Sequence, residues 1–301
     1  LFMTEFWERF AFYGIRWALV LYIVAQFYSG DSAGEAPANR TYGAYLALVY
    51  AAAIFGGYIA DRVLGYQRSI LLGAVIMAAG LFMISMPSEQ IFKFGLATII
   101  AGNGLFKPNI STMVGKLYSP TDGRRDSGFT IFYMGINAGA FIAPILTGWL
   151  AEQFFGTPEM PAYKVVFMTS GIGMLISLVW FWFGRRGLAT VGRPPEGDGG
   201  GKHKVLYVLI GALLAIPAIY FLLAIEATTL MWFVLAPMFV ALCALLLFEA
   251  FREGAVQRDR CFAMLIIFTF NILFWMFFEQ AGSSFTFLAD KIVDRDLFGA
   301  G

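Results

Sequence analysis

Long apolar segments alternate with short polar ones along almost the whole chain, and each apolar segment has about the length of a membrane-spanning helix. Nine such segments are predicted, at residues 2–28, 42–60, 69–87, 91–117, 128–152, 163–184, 205–225, 229–251 and 260–288. A helical span needs about 20 mostly apolar residues. The segments are too long for strands and lack an alternation of period two. The pattern therefore predicts an all-α polytopic membrane protein.

The amino-acid composition supports the membrane assignment. Hydrophobic residues make up 59% of the 301 positions and charged residues 14%, and the mean hydropathy is +0.72. Soluble domains are about 45–50% apolar and about 25% charged, so this chain needs lipid as part of its solvent. The net charge of +1 gives no electrostatic basis for binding nucleic acid. Cys243 and Cys261 lie in or beside apolar segments without metal-ligand spacing, so we predict neither a disulfide nor a metal site.

The basic residues of the connecting segments fall mainly on one side of the predicted membrane. With alternate loops assigned to the cytoplasm, beginning with the loop after the second segment, thirteen lysines and arginines lie on the cytoplasmic side. Five lie on the opposite side: Arg40, Lys93, Lys164, Lys291 and Arg295. Loops rich in lysine and arginine stay in the cytoplasm. We therefore expect a multi-pass protein of the inner (plasma) membrane with a cytoplasmic N-terminus.

The first predicted span contains charged residues that an apolar helix does not carry without a reason. Glu5, Glu8 and Arg9 are spaced i, i+3 and i+4, and Tyr13 and Arg16 continue the same polar stripe. An ionisable side chain at the centre of a membrane helix costs about 2.5–3.5 kcal/mol even on a lenient scale, so the stripe must face a partner or a wet cavity. Two interpretations stay open. The cluster is a structural ion pair, or it loads and releases a proton, because burial and a neighbouring arginine act in opposite directions on a carboxylate.

The fourth and fifth predicted spans supply further polar groups. Lys107 stands beside Pro108, which should kink its helix, and it is a candidate partner for a first-span carboxylate or for a substrate carboxylate. On the fifth span, Gly135 and Gly139 form the small-xxx-small pattern of closely packed membrane helices. Asn137 lies between these glycines, and its amide serves either packing or the interior of the bundle.

Two further motifs concern conformational change. Glu279 is a third intramembrane carboxylate, one turn after Trp275, and Arg16 of the first span is its natural partner. A salt bridge between separate helix bundles, made and broken as they rock, would act as a gate. Between the second and third spans, Asp61 and Arg62 occupy a tight turn that can bridge the helix ends. We interpret this turn as a control of conformation and not as a substrate site.

These motifs resemble those of the bacterial proton-coupled oligopeptide transporters, a branch of the major facilitator superfamily. The run Glu5-Phe-Trp-Glu8-Arg9-Phe10-Ala-Phe12-Tyr13-Gly14 is similar to the family's Glu-x-x-Glu-Arg-Phe-x-Tyr-Tyr-Gly signature, with Phe12 where the family often has tyrosine. Gly104-Leu-Phe-Lys107-Pro108-Asn109 is similar to its helix-four segment, and Phe132-Tyr133-Met-Gly-Ile-Asn137-Ala-Gly139 to its helix-five signature. The turn at residues 57–68 resembles the loop motif of the superfamily.

The resemblance implies a domain organisation. Residues 1–185 would form the N-terminal six-helix bundle, 186–204 a cytoplasmic linker rich in glycine and proline, 205–259 two inserted transmembrane helices and 260–301 the first helix of a C-terminal bundle. Because the chain lacks an initiator methionine, we expect a piece of a longer protein, truncated after core helix seven. The single histidine, His203, stands among lysines in the linker and is expected to be solvated, which leaves no histidine proton relay.

The resemblance also implies a function, namely proton-coupled symport of di- and tripeptides into the cell by alternating access, in a transporter that is not an enzyme. Proton coupling is implied for Glu5, Glu8, Arg9, Lys107 and Glu279. Substrate binding is implied for Arg9, Tyr13, Arg16, Tyr50, Lys107, Asn137 and Trp275, and gating for Arg16, Glu279, Asp61 and Arg62. The proton would be the coupling ion, with no cofactor. The expected partners are a small peptide, protons and the lipid bilayer, without nucleic acid, for a monomeric protein.

Two other functions compete with peptide transport as explanations of these residues. A proton-coupled carrier of nitrate or another small anion is the alternative on the same fold, because Arg9, Arg16 and Lys107 would bind an anion equally well. An acidic group facing these cations from the second bundle would favour a peptide. A membrane-embedded hydrolase is disfavoured, since the predicted spans contain no histidine and no metal-ligand set.

Overall fold

The structure, a computed structural model, describes residues 1–188, 190–194, 202–225, 229 and 231–293, and it is helical without any strand across these ranges. They form ten α-helices: α1 (Phe2–Phe27), α2 (Glu35–Ile59), α3 (Tyr66–Met83), α4 (Glu89–Lys116), α5 (Arg125–Trp149), α6 (Tyr163–Gly184), α7 (Lys202–Ala224), α8 (Ala236–Glu253), α9 (Ala255–Phe278) and α10 (Ser284–Lys291). Short 3-10 or π turns adjoin several of them, including Ala60–Leu64 after α2, Met231–Leu235 before α8 and Glu279–Gly282 after α9.

Eight helices of the described residues are long and apolar enough to cross a membrane, namely α1–α3 and α5–α9. Nine spans were predicted, and α4 is the one that does not meet this standard. Its 28 residues are long enough, but Asn103, Lys107 and Asn109 lower its apolar character. The helix is nevertheless the centre of the core, because α2, α3 and α7 all pack along it.

The first six helices form one bundle in which α1 packs on α5 and α6 while α4 packs on α2 and α3. The predicted small-xxx-small contact on α5 is confirmed. A Cβ atom built on Gly135 would lie 3.1 Å from the carbonyl oxygen of Phe2, and one built on Gly139 would collide with the carbonyl of Phe6. Only glycine permits this approach of α5 to the charged turn of α1.

Several helix boundaries differ from those predicted. The second helix begins at Glu35 and not near residue 42, because Asp31 caps a 3-10 turn that leads directly into it and because proline is tolerated in the first helical turn. The last long span begins at Ala255 and its α-helix ends at Phe278. Glu279 therefore opens the turn Glu279–Gly282 and does not lie within a continuous helix to residue 288.

Part of the predicted linker is docked on the bundle. The Gln67 backbone N–H donates to the carbonyl of Gly192 at 3.0 Å, and the Gln67 side-chain amide donates to the carbonyl of Val191 at 2.6 Å. His203 belongs to α7. The rest of the predicted linker, at positions 189 and 195–201, lies outside the described residues, as do residues 294–301 and with them Arg295.

Candidate functional site

The charged residues of α1 form a cluster that is almost completely removed from solvent. Glu5 and Glu8 are 0% exposed and Arg9 is 7% exposed. The Arg9 guanidinium donates through Nε to Glu8 Oε2 at 2.5 Å and through Nη2 to Glu8 Oε1 at 2.6 Å. Such a two-bond fork is the strongest form of an arginine–carboxylate pair. Glu8 and Arg9 are therefore tied to each other, although they are adjacent in sequence.

Glu5 is held differently. Lys107 of α4 donates from Nζ to Glu5 Oε1, and Arg9 Nε lies 3.6 Å from the same oxygen. The second oxygen, Oε2, is buried and has no hydrogen-bond partner among the described residues. The cluster contains two carboxylates and two cations, so its charges balance when all four are ionised. One carboxylate oxygen is nevertheless unsatisfied, and an unsatisfied buried charge is costly.

Neutral groups complete the surroundings of the cluster. Asn103 of α4 donates from Nδ2 to Glu8 Oε1 at 3.4 Å. The Arg9 guanidinium lies 4.6 Å from the centre of the Phe12 ring and 5.9 Å from that of Tyr13. Phe12, which stands at a family tyrosine position, thus supplies an aromatic face to Arg9 and no hydroxyl group.

A second ion pair joins α1 to the turn after α9. Arg16 donates from Nη2 to Glu279 Oε2 at 2.7 Å, which is the pairing expected from the sequence. Tyr50 of α2 donates to the other oxygen of Glu279 at 3.5 Å. Tyr13 lies between the two clusters, because its ring centre is 5.9 Å from Arg9 and 5.7 Å from Arg16. A continuous charged and aromatic stripe therefore runs from Glu5 to Glu279.

A cavity of about 660 Å³ lies between α2 and the end of α9. Tyr50, Trp275 and Glu279 line it together with Tyr42. The structure thus brings three of the predicted residues together around this cavity, Tyr50 from α2 and Trp275 and Glu279 from the facing side. Asn137 is not among the lining residues, and it is exposed on α5, where its amide donates to the carbonyl of Tyr133 at 2.9 Å.

The turn after α2 holds the other predicted pair. Asp61 accepts a hydrogen bond from the Tyr66 hydroxyl, and Lys116 at the end of α4 lies 4.6 Å above the Tyr66 ring. Asp61 and Arg62 are both exposed. The acid therefore contacts the next helix through a tyrosine, which the sequence pattern did not indicate.

Two contacts near the Arg16–Glu279 pair were not predicted. Lys291 of α10 forms an ion pair with Glu35 at the start of α2. Gly282 packs so closely that a Cβ atom there would collide with the Tyr42 hydroxyl and lie 2.9 Å from Arg16 Cγ. No sequence signal pointed to either, since Glu35 and Lys291 lie in polar segments outside the predicted spans. Within the described ranges, no three side chains of histidine, cysteine, aspartate or glutamate are grouped so that they could hold a metal ion.

Comparison with known proteins gives consistent matches. The sequence profile of the POT family matches residues 67–300. "Dipeptide and tripeptide permease B" of Xenorhabdus bovienii is 33% identical over 99% of the chain, and "Dipeptide and tripeptide permease A" of Yersinia pestis is 34% identical over 100%. The chain covers 59% and 58% of these relatives, respectively, so it spans about three fifths of their length.

Solved structures agree with the sequence matches. A crystal structure of a mutant of the peptide transporter POT in complex with alafosfalin has a TM-score of 0.75 and 32% identity, covering 99% of this chain and 61% of that one. A POT family transporter in complex with a thioalcohol conjugated peptide has a TM-score of 0.75 and 32% identity, over 97% of this chain and 61% of that one. The fold described above is therefore that of these transporters.

Proposed function

Because the chain belongs to the POT family, we propose that the protein is a proton-coupled symporter that imports di- and tripeptides across the inner membrane by alternating access. The observation that carries the proposal is the buried cluster of Glu5, Glu8, Arg9 and Lys107 with its one unsatisfied carboxylate oxygen. An ion pair with a purely structural role would have no use for an oxygen without a partner. A carboxylate that takes up a proton needs such an oxygen to receive it.

The two halves of the cluster have different tasks. Arg9 and Glu8 are bound through two hydrogen bonds and stay together. Lys107 holds Glu5 through one oxygen, and its side chain is 29% exposed, so it can also reach a solute. A proton placed on Glu5 Oε2 would neutralise that carboxylate and weaken its hold on Lys107. The released ammonium group then becomes available to the carboxylate of a peptide.

This competition couples the two solutes. When Glu5 is deprotonated, it forms the ion pair with Lys107, and the peptide carboxylate binds weakly. With a proton, the peptide carboxylate replaces Glu5 as the partner of Lys107. A peptide bound in this way also keeps the proton in place, because binding of one ligand favours the other by the same free energy.

The Arg16–Glu279 pair serves as a gate in this proposal. It joins α1 to the turn after α9 next to the cavity with Tyr50 and Trp275. Opening toward that side requires the pair to separate. With the N-terminus in the cytoplasm, this is the outer side of the membrane, so the pair would close the outer side whenever it forms.

The relatives favour a peptide over the alternative substrate. The proteins named above carry peptide permease or peptide transporter in their names, whereas Arg16 and Lys107 by themselves would also suit nitrate. A cavity of about 660 Å³ with tryptophan and tyrosine walls is also larger than a small anion needs and is typical of an organic ligand.

Uptake of a labelled dipeptide into proteoliposomes tests the proposal. We expect accumulation with an inward proton gradient, loss of accumulation when an ionophore removes the gradient, and no competition by excess nitrate. Accumulation that is independent of the gradient would refute proton coupling. Labelled nitrate accumulating in place of the dipeptide would support the anion carrier.

Substitutions that replace a glutamate by the uncharged glutamine test which carboxylate takes up the proton. Glu5→Gln and Glu8→Gln keep side-chain size but remove a titratable group, so both should abolish gradient-driven uptake while Glu5→Gln retains exchange of labelled for unlabelled peptide. The matched control is Glu89→Gln, since Glu89 lies on α4 with its side chain 51% exposed. Normal gradient-driven uptake by Glu5→Gln would show that the proton binds elsewhere.

A further inference from the structure

A second cavity, which the transport mechanism does not use, lies between the bundle and the pair α7–α8. It measures about 620 Å³ and is bounded by α2 and α4 on one side and by α7 on the other. Tyr207 is the one lining residue with a polar side-chain group. We call this cavity the α7 groove.

The groove exists because the facing residues are small. Gly211, Ala215 and Ala218 line it from α7, while Ala52 of α2 and Gly104 of α4 line it from the bundle. The groove is partly open to its surroundings, and an unfilled apolar volume of this size forfeits dispersion contacts. Water does not fill it well, since an apolar cavity offers no hydrogen-bond partners.

The two ends of the groove differ. At one end the ring of Tyr220 on α7 stacks on Phe94 of α4 with 4.2 Å between ring centres, and Leu235 and Met238 also line the cavity there. At the other end α7 packs against the turn Ala60–Leu64. Lys204 lies one turn before Tyr207 on α7, and Arg62 stands exposed in that turn. One end is therefore aromatic and apolar, and the other carries the basic side chains of Lys204 and Arg62, while Asp61 of the same turn is bound by the Tyr66 hydroxyl.

From this shape and charge we propose that the α7 groove binds an anionic phospholipid, with one acyl chain in the groove and the headgroup at the Lys204 end. Lining residues Tyr207 to Leu222 span about 22 Å along α7 at 1.5 Å per residue. That length exceeds the depth of one leaflet, which is about 15 Å, so an extended chain fits. Basic residues between membrane helices are suited to an anionic headgroup.

The bound chain would support the coupling helices. It would fill the space between α7 and the lining faces of α2 and α4, the helices that also carry Tyr50 and Lys107. The proposal does not depend on which solute the protein carries, so its test can fail while peptide transport stands.

A photoreactive lipid tests where the chain lies. The protein is reconstituted with phosphatidylglycerol that carries a diazirine at the end of an acyl chain, irradiated and digested, and the labelled peptides are identified by mass spectrometry. We expect label on groove residues such as Ala52, Leu105 and Ala215. Label confined to outward residues such as Leu214, or a crosslink between two copies of the protein through α7, would overturn the proposal.

Two substitutions on adjacent residues test the groove itself. Ala215→Phe fills it, whereas Leu214→Phe adds a ring at a position that is 72% exposed and outside the lining. Native mass spectrometry of the purified protein should show retained phospholipid that falls several-fold in Ala215→Phe and not in Leu214→Phe. Equal retention in both would refute the site. If Ala215→Phe does not fold, the diazirine map of the unaltered protein decides.

The headgroup is tested separately. In bilayers of equal parts phosphatidylglycerol and phosphatidylcholine, the unaltered protein should retain the anionic lipid several-fold more than the zwitterionic one. Lys204→Gln should reduce that preference, with the amount of total lipid unchanged. An unchanged preference would remove Lys204 from the headgroup site and refute that part of the proposal.

Discussion

At the scale of single residues, the structure gives the two carboxylates of α1 unequal partners. Helical spacing predicted Arg9 to face Glu5 four positions earlier, and their charged atoms are 3.6 Å apart. Both strong bonds of Arg9 go instead to Glu8, its neighbour in sequence. Periodicity places side chains on a face of a helix but does not say which atoms meet at their ends. The sequence therefore indicated which residues form the cluster and left the division of bonds within it open.

Lys107 must release Glu5 for the proposed coupling. The ion pair must therefore be weak enough to separate, which a contact through one oxygen allows. Lys107→Arg keeps the charge but offers a planar fork that can occupy both oxygens of Glu5. One added charge-assisted hydrogen bond contributes about 1.5 kcal/mol, which lowers the equilibrium constant for separation of residue 107 from Glu5 roughly tenfold. We expect gradient-driven uptake to fall by about tenfold, whereas Lys93→Arg, near the start of the same helix, leaves uptake unchanged. Uptake by Lys107→Arg at the normal rate would contradict this account.

At the scale of helices, long apolar runs were sufficient to predict nearly every element, and the exceptions have physical causes. The first turns of α2 lie outside the predicted apolar span because they are polar, yet they are helical. Hydropathy detects lipid contact and not helix formation, so it missed them. It also merged the first residues of α10 into the ninth predicted span, because the short turn Glu279–Gly282 does not interrupt the run of apolar residues. The docking of residues 190–194 depends on hydrogen bonds that the Gln67 backbone and side chain donate to main-chain carbonyls, and such contacts leave no pattern in sequence.

The α1–α5 crossing gives a prediction at this scale. Gly139→Ala places a Cβ atom against the backbone of Phe6, which cannot move as a flexible side chain would. Such overpacking costs about 1–3 kcal/mol, so the melting temperature in detergent should fall. Gly148→Ala on the same helix meets no atom within 4 Å and should stabilise the protein by up to about 1 kcal/mol. If both variants melted alike, the close crossing would not limit stability.

At the scale of the whole molecule, contacts distant in sequence hold α9 and α10 against α1 and α2. They include the Arg16–Glu279 pair, the Lys291–Glu35 pair and the close packing of Gly282 on Tyr42. The first was expected because its residues interrupt apolar segments. The others could not be predicted, since a surface charge and a glycine in a turn are common in any loop.

The two pairs should contribute unequally to closure. The side chains of Arg16 and Glu279 are 12% and 23% exposed, against 46% and 30% for Lys291 and Glu35. Exposed pairs contribute about 0–1 kcal/mol, and partly buried ones contribute more because water screens them less. Glu279→Gln should therefore separate α9 and α10 from α1 and α2 more than Glu35→Gln does.

Labelling of a cysteine measures the difference. Ser283→Cys, in a chain whose Cys243 and Cys261 are replaced by alanine, places a thiol on the wall of the cavity. A membrane-impermeant maleimide should react several-fold faster after Glu279→Gln, and only slightly faster after Glu35→Gln. The reverse order would assign the main closing contact to Lys291.

The partners of α1 also bear on how the protein is made. Glu5 meets Lys107 across 102 residues of sequence, and Arg16 meets Glu279 across 263. At about 5–20 residues per second, a ribosome needs roughly 5–20 s after synthesis of Glu5 to produce Lys107. During that time the charged stripe of α1 has no counter-charge from α4, and hydrocarbon does not tolerate it. We expect α1 to wait inside the insertion machinery, or at the membrane surface, until α4 emerges, so that the order of synthesis becomes part of the assembly of the charge cluster.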